Sequence, residues 1–276
     1  MVTSSIRILS DGIVKFDCGT IYGRVPKTEW QNLVSTDRLN RMTLGLNCVL
    51  FEIGGKYVLV DTGVGSKELD HEKETYGLVP SRLVKELRAL TIAPKQIDAV
   101  ILTHLHFDHS GGCTRMDRMG GLVPTFPRAK YFVQAGCWKD ASGPNEGCAE
   151  LHRGEDYLPI QEEGQLELLE GDSELYPGVR VKVTNGHARG HQVVLIAHGG
   201  ERIAILGDLV PTRYHLNPGA ISAFDKSPED TREIKKELLL QAEKEGWLLI
   251  FSHGLDQRSG YLRRQNGKSV FIPSEI

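Results

Sequence analysis

The segment His104-Leu105-His106-Phe107-Asp108-His109 concentrates residue types that bind metal ions. His104 and His106 are two positions apart, so in extended backbone their side chains point to the same side and could reach one ion. Asp108 and His109 follow after a turn and could serve a second ion. Imidazole and carboxylate groups are common ligands of zinc and related metals. The spacing therefore predicts a metal site.

The same kind of residue stands directly after predicted strands elsewhere in the chain. The His104–His109 segment follows an apolar stretch, residues 97–103, which predicts a buried strand. Three more candidates follow predicted strands: His187 after residues 179–184, Asp208 after residues 203–206, and His253 after residues 247–251. Active sites of α/β proteins often lie at strand ends. We therefore expect one end of the fold to gather these side chains.

The elements that must position these residues begin with a hairpin. Residues 48–53 and 56–60 flank Gly54-Gly55, which predicts two strands joined by a two-residue turn. Apolar residues at helical spacing from Val79 to Leu90, with Pro80 in the first turn, predict a helix.

The second part of the chain alternates loops and strands. Residues 114–165 are rich in Gly and Pro and predict long loops with short helices around one strand, residues 129–134. A helix is predicted at residues 227–245, capped by Ser227. Further strands are predicted at residues 179–184, 192–197, 202–206, 247–251, 260–264 and 269–272.

Strands dominate both halves of the chain, and a helix stands late in each half. This order predicts an α/β (α+β) protein built as an αββα sandwich, with two mixed β-sheets face to face and helices on the outer faces. No stretch reads as a linker, so we predict one domain over residues 1–276.

At this point the motifs resemble a known family. The His-x-His-x-Asp-His segment is similar to the signature of the metallo-β-lactamase superfamily, and four other elements follow its order. They are Val60-Asp61-Thr62-Gly63, Asn185-Gly186-His187-Ala188-Arg189-Gly190-His191, Leu206-Gly207-Asp208 and Ser252-His253. Ala188 and Arg189 replace the family's usual Thr and Pro, a departure that removes no ligand. The resemblance implies the same αββα fold.

The resemblance also implies a division of the ligands between two divalent ions. The first ion would be held by His104, His106 and His187, the second by Asp108, His109 and His253, with Asp208 between them. Asp61 and His191 would orient ligands rather than bind metal. One alternative remains open, in which His191 replaces His187 as the ligand.

The chemistry implied is hydrolysis of an ester-like bond in a small molecule. Two divalent metal ions lower the pKa of a shared water and polarise the substrate oxygen. Asp108 is the predicted catalytic residue, which would hold the attacking water and pass its proton to the leaving group. The ligand set suits zinc, and iron, manganese or cobalt fit the same nitrogen and oxygen ligands.

Within the superfamily the motifs look most like the glyoxalase II and quorum-quenching lactonase branch, which makes an acyl-homoserine lactone-like lactone a candidate substrate. Lactonases of that branch often carry a tyrosine three residues after the bridging aspartate, where this chain has Pro211. The nearest tyrosine is Tyr214. We predict Tyr214, His215 and Tyr22 as candidate substrate contacts. His71, His152 and His198 lie in no motif and are predicted to be surface residues.

Two alternative functions share this fold. A mononuclear iron persulfide dioxygenase would need only His104, His187 and Asp208, and the complete second ligand set argues against it. A phosphodiesterase or nuclease would be expected to carry a basic arm or an extra domain for nucleic acid, and neither is visible.

The composition argues against a nucleic-acid-binding or membrane protein. Lys and Arg number 33 against 36 Asp and Glu, a net charge of −3 that gives no general attraction for nucleic acid or an anionic membrane. No apolar stretch is long enough for a membrane span or a signal peptide, so we expect a cytoplasmic protein with a small-molecule substrate. Five scattered cysteines predict buried thiols rather than disulfides. A homodimer is left open.

Overall fold

The computed structural model describes residues 6–67, 70–143 and 151–276. Two mixed sheets make up most of it, and a separate hairpin of β5 and β6 stands beside them. The strands are β1 (Arg7–Asp17), β2 (Arg41–Ile53), β3 (Lys56–Val60), β4 (Ile97–Ile101), β5 (Thr114–Met116), β6 (Leu122–Pro124), β7 (Lys130–Gln134), β8 (Leu166–Leu169), β9 (Ser173–Tyr176), β10 (Val179–Val183), β11 (Gln192–His198), β12 (Glu201–Ile205), β13 (Leu248–Ile250), β14 (Ser259–Gln265) and β15 (Lys268–Pro273).

Eight α-helices lie within the described ranges. They are α1 (Cys18–Tyr22), α2 (Lys27–Trp30), α3 (Asp70–Tyr76), α4 (Leu83–Ala89), α5 (Phe107–Ser110), α6 (Ala135–Ser142), α7 (Gly154–Glu162) and α8 (Pro228–Glu245).

The first sheet has the order β1-β2-β3-β4-β7-β8, and the second has the order β15-β14-β13-β12-β11-β10-β9. β3, β4, β7 and β8 run parallel to one another, as do β12 and β13 in the second sheet. Because parallel strands end at the same edge of a sheet, the segments after β3 and β4, and those after β12 and β13, are brought side by side.

The two sheets pack face to face through a shared apolar core. Val60 and Ile101 of the first sheet belong to the same buried cluster as Val194, Ile205 and Ile250 of the second. Side chains of α4, α6 and α7 are buried on the other face of the first sheet, and those of α8 on the other face of the second. The predicted αββα sandwich of two mixed sheets is confirmed.

Several elements differ from the prediction in extent. β2 begins at Arg41 rather than at residue 48, and it pairs along its length with β1, a strand that the sequence analysis did not predict. Residues 114–165 hold three strands and two helices where mostly loops were expected, although residues 144–150 lie outside the described part. The four described cysteines are buried free thiols, as predicted, and Cys148 lies outside the described residues.

Helix α4 begins later than predicted, at Leu83 rather than Val79. The reason lies in β1, where the buried carboxylate of Asp11 accepts hydrogen bonds from the backbone N–H groups of Arg82 and Leu83 at 3.2 and 3.1 Å. The same carboxylate accepts from Gly65 N–H and from the Ser81 hydroxyl. A side chain 72 residues away therefore supplies the N-terminal partner that local sequence did not reveal.

Helix α8 starts where it was expected, but its first turn is bonded differently. Ser227 stands at the N-cap position, yet its hydroxyl donates to the Asp230 carboxylate instead of accepting a backbone N–H. Pro228 and the acidic residues of the first turn still suit a helix start.

Replacing Asp11 by Ala should destabilise the fold strongly. The change leaves the backbone N–H groups of Gly65 and Leu83 and the Ser81 hydroxyl without their acceptor, while the Arg82 N–H keeps the backbone carbonyl of residue 11. Unsatisfied buried donors cost about 1–3 kcal/mol each. We expect the free energy of unfolding, measured by urea denaturation, to fall by about 3 kcal/mol. Asp98→Ala is the control, because that exposed carboxylate accepts one backbone N–H, that of Tyr57, among the described residues. Equal, small losses in both variants would contradict the capping role.

Candidate metal centre

The seven predicted metal ligands come together at one edge of the sandwich. Four of them follow β4 directly or lie in α5, and the others follow β10, β12 and β13. They fall into two groups whose ligand atoms lie within 4.8 Å of one another: His104, His106, His187 and Asp208 in the first, and Asp108, His109 and His253 in the second. The predicted ligands of each ion therefore lie in one group, and their binding of metal stays a prediction.

Asp208 lies between the two groups. Its Oδ2 is 3.2 Å from Nε2 of His187 in the first group. Its Oδ1 is 3.3 Å from Nε2 of His109 and 3.1 Å from Nε2 of His253 in the second. Each carboxylate oxygen therefore faces a different group, which is the arrangement a bridging ligand requires.

The arrangement of the imidazole nitrogens fits a bound cation. Nε2 of His104 is buried and has no hydrogen-bond partner in the described part of the chain. Nε2 of His109 lies 3.1 Å from Nε2 of His253, and Nε2 of His187 lies 3.2 Å from Nδ1 of His106. Ligand atoms 2.0–2.1 Å from a tetrahedral zinc ion are about 3.4 Å apart. A cation in each group would satisfy lone pairs that otherwise face one another, so these residues fit two divalent metal ions.

The electrostatics of the metal-free cluster favour the ligand form at Asp208, His104 and His106. At His109, His187 and His253 burial lowers the pKa, but the adjacent carboxylates, above all Asp208, outweigh it and raise the pKa above the ordinary histidine value, so metal binding there must displace a proton. Burial alone would raise the pKa of Asp208, but the adjacent His253, His109 and His187 hold that pKa well below its usual range. Burial lowers the pKa of His104 and His106 well below the ordinary histidine value, so these two imidazoles stay neutral. An ionised carboxylate and neutral imidazoles are the forms that bind metal.

Asp61 contacts His109 directly and His104 through Thr103, the residues that it is predicted to orient. Its Oδ2 accepts from Nδ1 of His109 at 2.8 Å and from the Thr103 hydroxyl at 2.8 Å. The Thr103 hydroxyl in turn lies 3.1 Å from Nδ1 of His104. Because Nδ1 of both rings is engaged, Nε2 of each ring is left to face the cluster.

Two further orienting groups were not predicted. Nδ1 of His187 lies 2.9 Å from Oδ1 of Asp225, and Nδ1 of His253 donates to the carbonyl of Gly45 at 2.8 Å. Asp225 is a single carboxylate in a loop with no motif, and a backbone carbonyl has no sequence signature. Only the contacts in the fold reveal either one.

His191 contacts a ligand and uses both ring nitrogens to do so. Its Nε2 accepts from the backbone N–H of Asp208 at 2.9 Å, and its Nδ1 lies 2.6 Å from the Thr184 hydroxyl. Burial lowers the pKa of His191 to about 3, which keeps Nε2 free to accept. The ring therefore positions the Asp208 backbone and has no free nitrogen for a metal.

The three candidate substrate contacts lie in different surroundings. The buried His215 ring stacks on Tyr22 with centroids 5.2 Å apart, and Tyr22 stacks on Trp30. Neither His215 nor Tyr22 lines the described cavities at the metal groups, because packing occupies both rings. Tyr214 does line the cavity beside His253.

His152 is not the surface residue that the sequence suggested. It is half-buried, and its ring centroid lies 5.1 Å from that of His106. Burial lowers its pKa below the ordinary histidine value. The side chains of His71 and His198 lie outside the described part of the structure.

Two adjoining cavities open at the metal groups. A narrow one reaches His106, Asp108, His187, Asp208 and His253 between apolar side chains that include Phe16, Leu44, Leu151 and Phe224. A larger one, of about 280 Å³, shares Leu44 and His253 with the first and is lined by Leu33, Val34, Met42, Tyr214 and Leu255 among others. A narrow cavity at the metal groups next to a larger cavity suits a small molecule whose reactive polar end enters the first and whose apolar remainder enters the second.

Among the helices that the structure describes, none combines the length and apolar character needed to cross a bilayer.

Comparison with known proteins agrees with this geometry. Residues 43–253 match the family model described as the metallo-beta-lactamase superfamily. An N-acyl homoserine lactonase of Bacillus cereus is 27% identical over 235 residues, which cover 80% of this chain and 86% of the relative.

Solved structures show the same fold. A probable metal-dependent hydrolase from Staphylococcus aureus aligns with a TM-score of 0.90 and 26% identity, covering 99% of this chain and 97% of the other. The dizinc quorum-quenching lactonase AidC, in complex with a product, aligns with a TM-score of 0.79 and 19% identity, covering 98% and 94%. With its two groups of metal-binding side chains, this chain belongs to the metallo-β-lactamase superfamily and is a metal-dependent hydrolase.

Proposed function

We propose that the protein is a binuclear metal-dependent lactonase that opens the ring ester of a small lactone bearing an apolar acyl group. The observation that carries the proposal is Asp208, whose two oxygens face two separate groups of buried ligands. The cavity beside the second group, with apolar side chains in part of its wall, and the lactonase names of the relatives support the substrate class.

In this proposal His104, His106 and His187 hold one ion, Asp108, His109 and His253 hold the other, and Asp208 bridges them. We infer zinc as the metal, which the dizinc relative supports. When bound, such a pair of ions activates a water for attack and polarises the substrate carbonyl.

Asp108 is the proposed proton carrier. It lines the narrow cavity, and its Oδ2 lies 3.6 Å from Nε2 of His253 and 4.0 Å from Nε2 of His109. During hydrolysis the water oxygen bonds to the carbonyl carbon, and the ring carbon–oxygen bond breaks. Asp108 takes a proton from the attacking water and delivers it to the departing alkoxide oxygen.

The apolar walls exclude bulk water and hold the substrate. Phe16, Leu44 and Phe224 surround the narrow cavity above the ligands. Tyr214 is the proposed polar contact, because its hydroxyl accepts a hydrogen bond from Arg213 at 2.8 Å. That leaves the phenolic proton available for a substrate carbonyl.

We also propose that the chain acts as one domain, since both sheets contribute ligands to one site and side chains to one core. The homodimer stays a prediction.

Substrate choice can be tested with a hydrolysis panel on the zinc-loaded protein. It should contain N-acyl homoserine lactones, simple lactones, aryl esters, glutathione thioesters, phosphodiesters and a β-lactam. We expect the highest kcat/KM for lactones with an apolar acyl group. Such a group can contact the apolar side chains Leu33, Met42 and Leu255, which line the larger cavity next to His253. A preference for phosphodiesters, or one bound iron with oxygen uptake on a persulfide, would refute the proposal.

Asp208→Ala and Asp108→Asn should separate metal binding from proton transfer. Removing the bridging carboxylate should lower the zinc content measured by mass spectrometry below two ions per chain and abolish lactone hydrolysis. Asp108→Asn keeps an oxygen ligand but cannot carry a proton, so kcat should fall roughly 100-fold or more with zinc retained. The exposed Asp98→Asn is the matched control. Full activity in either site variant would defeat the assignment.

Tyr214→Phe tests the proposed substrate contact. Loss of one hydrogen bond to substrate should lower kcat/KM about tenfold, which corresponds to about 1.4 kcal/mol, while zinc content stays at two. Tyr261→Phe serves as the control, since Tyr261 lies in β14 and packs against the core between the sheets. Unchanged kinetics in Tyr214→Phe would remove this residue from the site.

A further inference from the structure

Four of the five histidines in the metal groups have an outer partner that orients the ring. His104 has the Thr103 hydroxyl, His109 has Asp61, His187 has Asp225 and His253 has the Gly45 carbonyl. His106 is the exception: its Nδ1 faces His187, and its Nε2 is buried without a hydrogen-bond partner among the described residues.

His152 carries an acceptor nitrogen that lacks a donor. Its Nδ1 lies 3.0 Å from the carbonyl of Leu105, which can only accept, so Nδ1 carries the proton. The Nε2 atom of a neutral ring protonated at Nδ1 is an acceptor. That Nε2 is also buried without a partner among the described residues.

The position of the proton on the neutral His106 ring makes its Nε2 a donor. A neutral imidazole that binds a cation through Nδ1 carries its proton on Nε2. Nε2–H of His106 is then a donor that needs an acceptor, and buried donors left unpaired are costly. One unpaired donor and one unpaired acceptor therefore lie on neighbouring rings.

The separation of the rings allows them to bond. Their centroids are 5.1 Å apart with an interplanar angle of 55°. In the same molecule, the His109 and His253 centroids are 5.0 Å apart and their Nε2 atoms are 3.1 Å apart. A centroid separation of this size is therefore compatible with a hydrogen bond between Nε2 of His106 and Nε2 of His152.

We propose that His152 is a positioning residue of the metal centre, which accepts a hydrogen bond from Nε2–H of His106 and thereby aims Nδ1 of His106 at the first metal group. This role rests on the proposed assignment of His106 as a ligand. Because the Leu105 carbonyl anchors His152, the main chain between His104 and His106 holds the ring that orients His106.

The test is zinc affinity of the metal-free protein, measured by competition with a chromophoric chelator. His152→Leu removes the acceptor at similar volume, and we expect one of the two zinc sites to weaken by roughly 10- to 100-fold. His152→Gln should recover most of that affinity, because its amide oxygen accepts and its amide N–H donates. Glu155→Gln, an exposed change in the same segment, should leave both sites unchanged.

Melting temperatures of the metal-free variants show whether a substitution at His152 weakens zinc binding by misplacing His106 or by destabilising the fold. Equal zinc affinity in wild type and His152→Leu would overturn the inference, as would equal losses in the Leu and Gln variants. If His152→Leu fails to fold, the His152→Gln variant is used alone. Wild-type zinc affinity at both sites of His152→Gln supports the role of His152, and weakened zinc binding at both sites of that variant contradicts it. Failure of the wild type to bind zinc would instead overturn the metal centre itself.

Discussion

The structure depends on holding several imidazoles and a carboxylate together in a buried place where their lone pairs face one another. His109 and His253, and likewise His106 and His187, present ring nitrogens at 3.1–3.2 Å. Such an arrangement is unfavourable for an empty protein and favourable around cations, so part of the folding free energy maintains a site for metal. Asp208 makes the two groups one site, because its oxygens are shared between them.

The sandwich holds the cluster because both of its sheets end there. Parallel strands β3 and β4 deliver Asp61 and His104 from one sheet, while β12 and β13 deliver Asp208 and His253 from the other. The apolar core between the sheets fixes the distance across which these ligands meet. A shift of either sheet would pull the two halves of the site apart, and close packing resists such a shift.

Around the ligands, hydrogen bonds decide which ring nitrogen faces inward. Asp61, Asp225 and the Gly45 carbonyl each occupy Nδ1 of a different histidine, and His191 holds the backbone of Asp208. None of these groups needs to touch metal or substrate. They set the orientation of the metal-binding side chains, whereas the walls of the adjoining cavities shape the space beside those side chains.

The sequence by itself determined the αββα fold and which strand ends carry the His and Asp side chains, because both follow from local patterns: strands ending in His or Asp, in an order that resembles one superfamily. Only the tertiary structure decided the later start of α4, the burial of His215 and the position of His152. Asp11 reaches α4 across 72 residues, the Tyr22 ring covers His215, and the Leu105 carbonyl anchors His152. These contacts join residues far apart in the chain, so no local pattern encodes them.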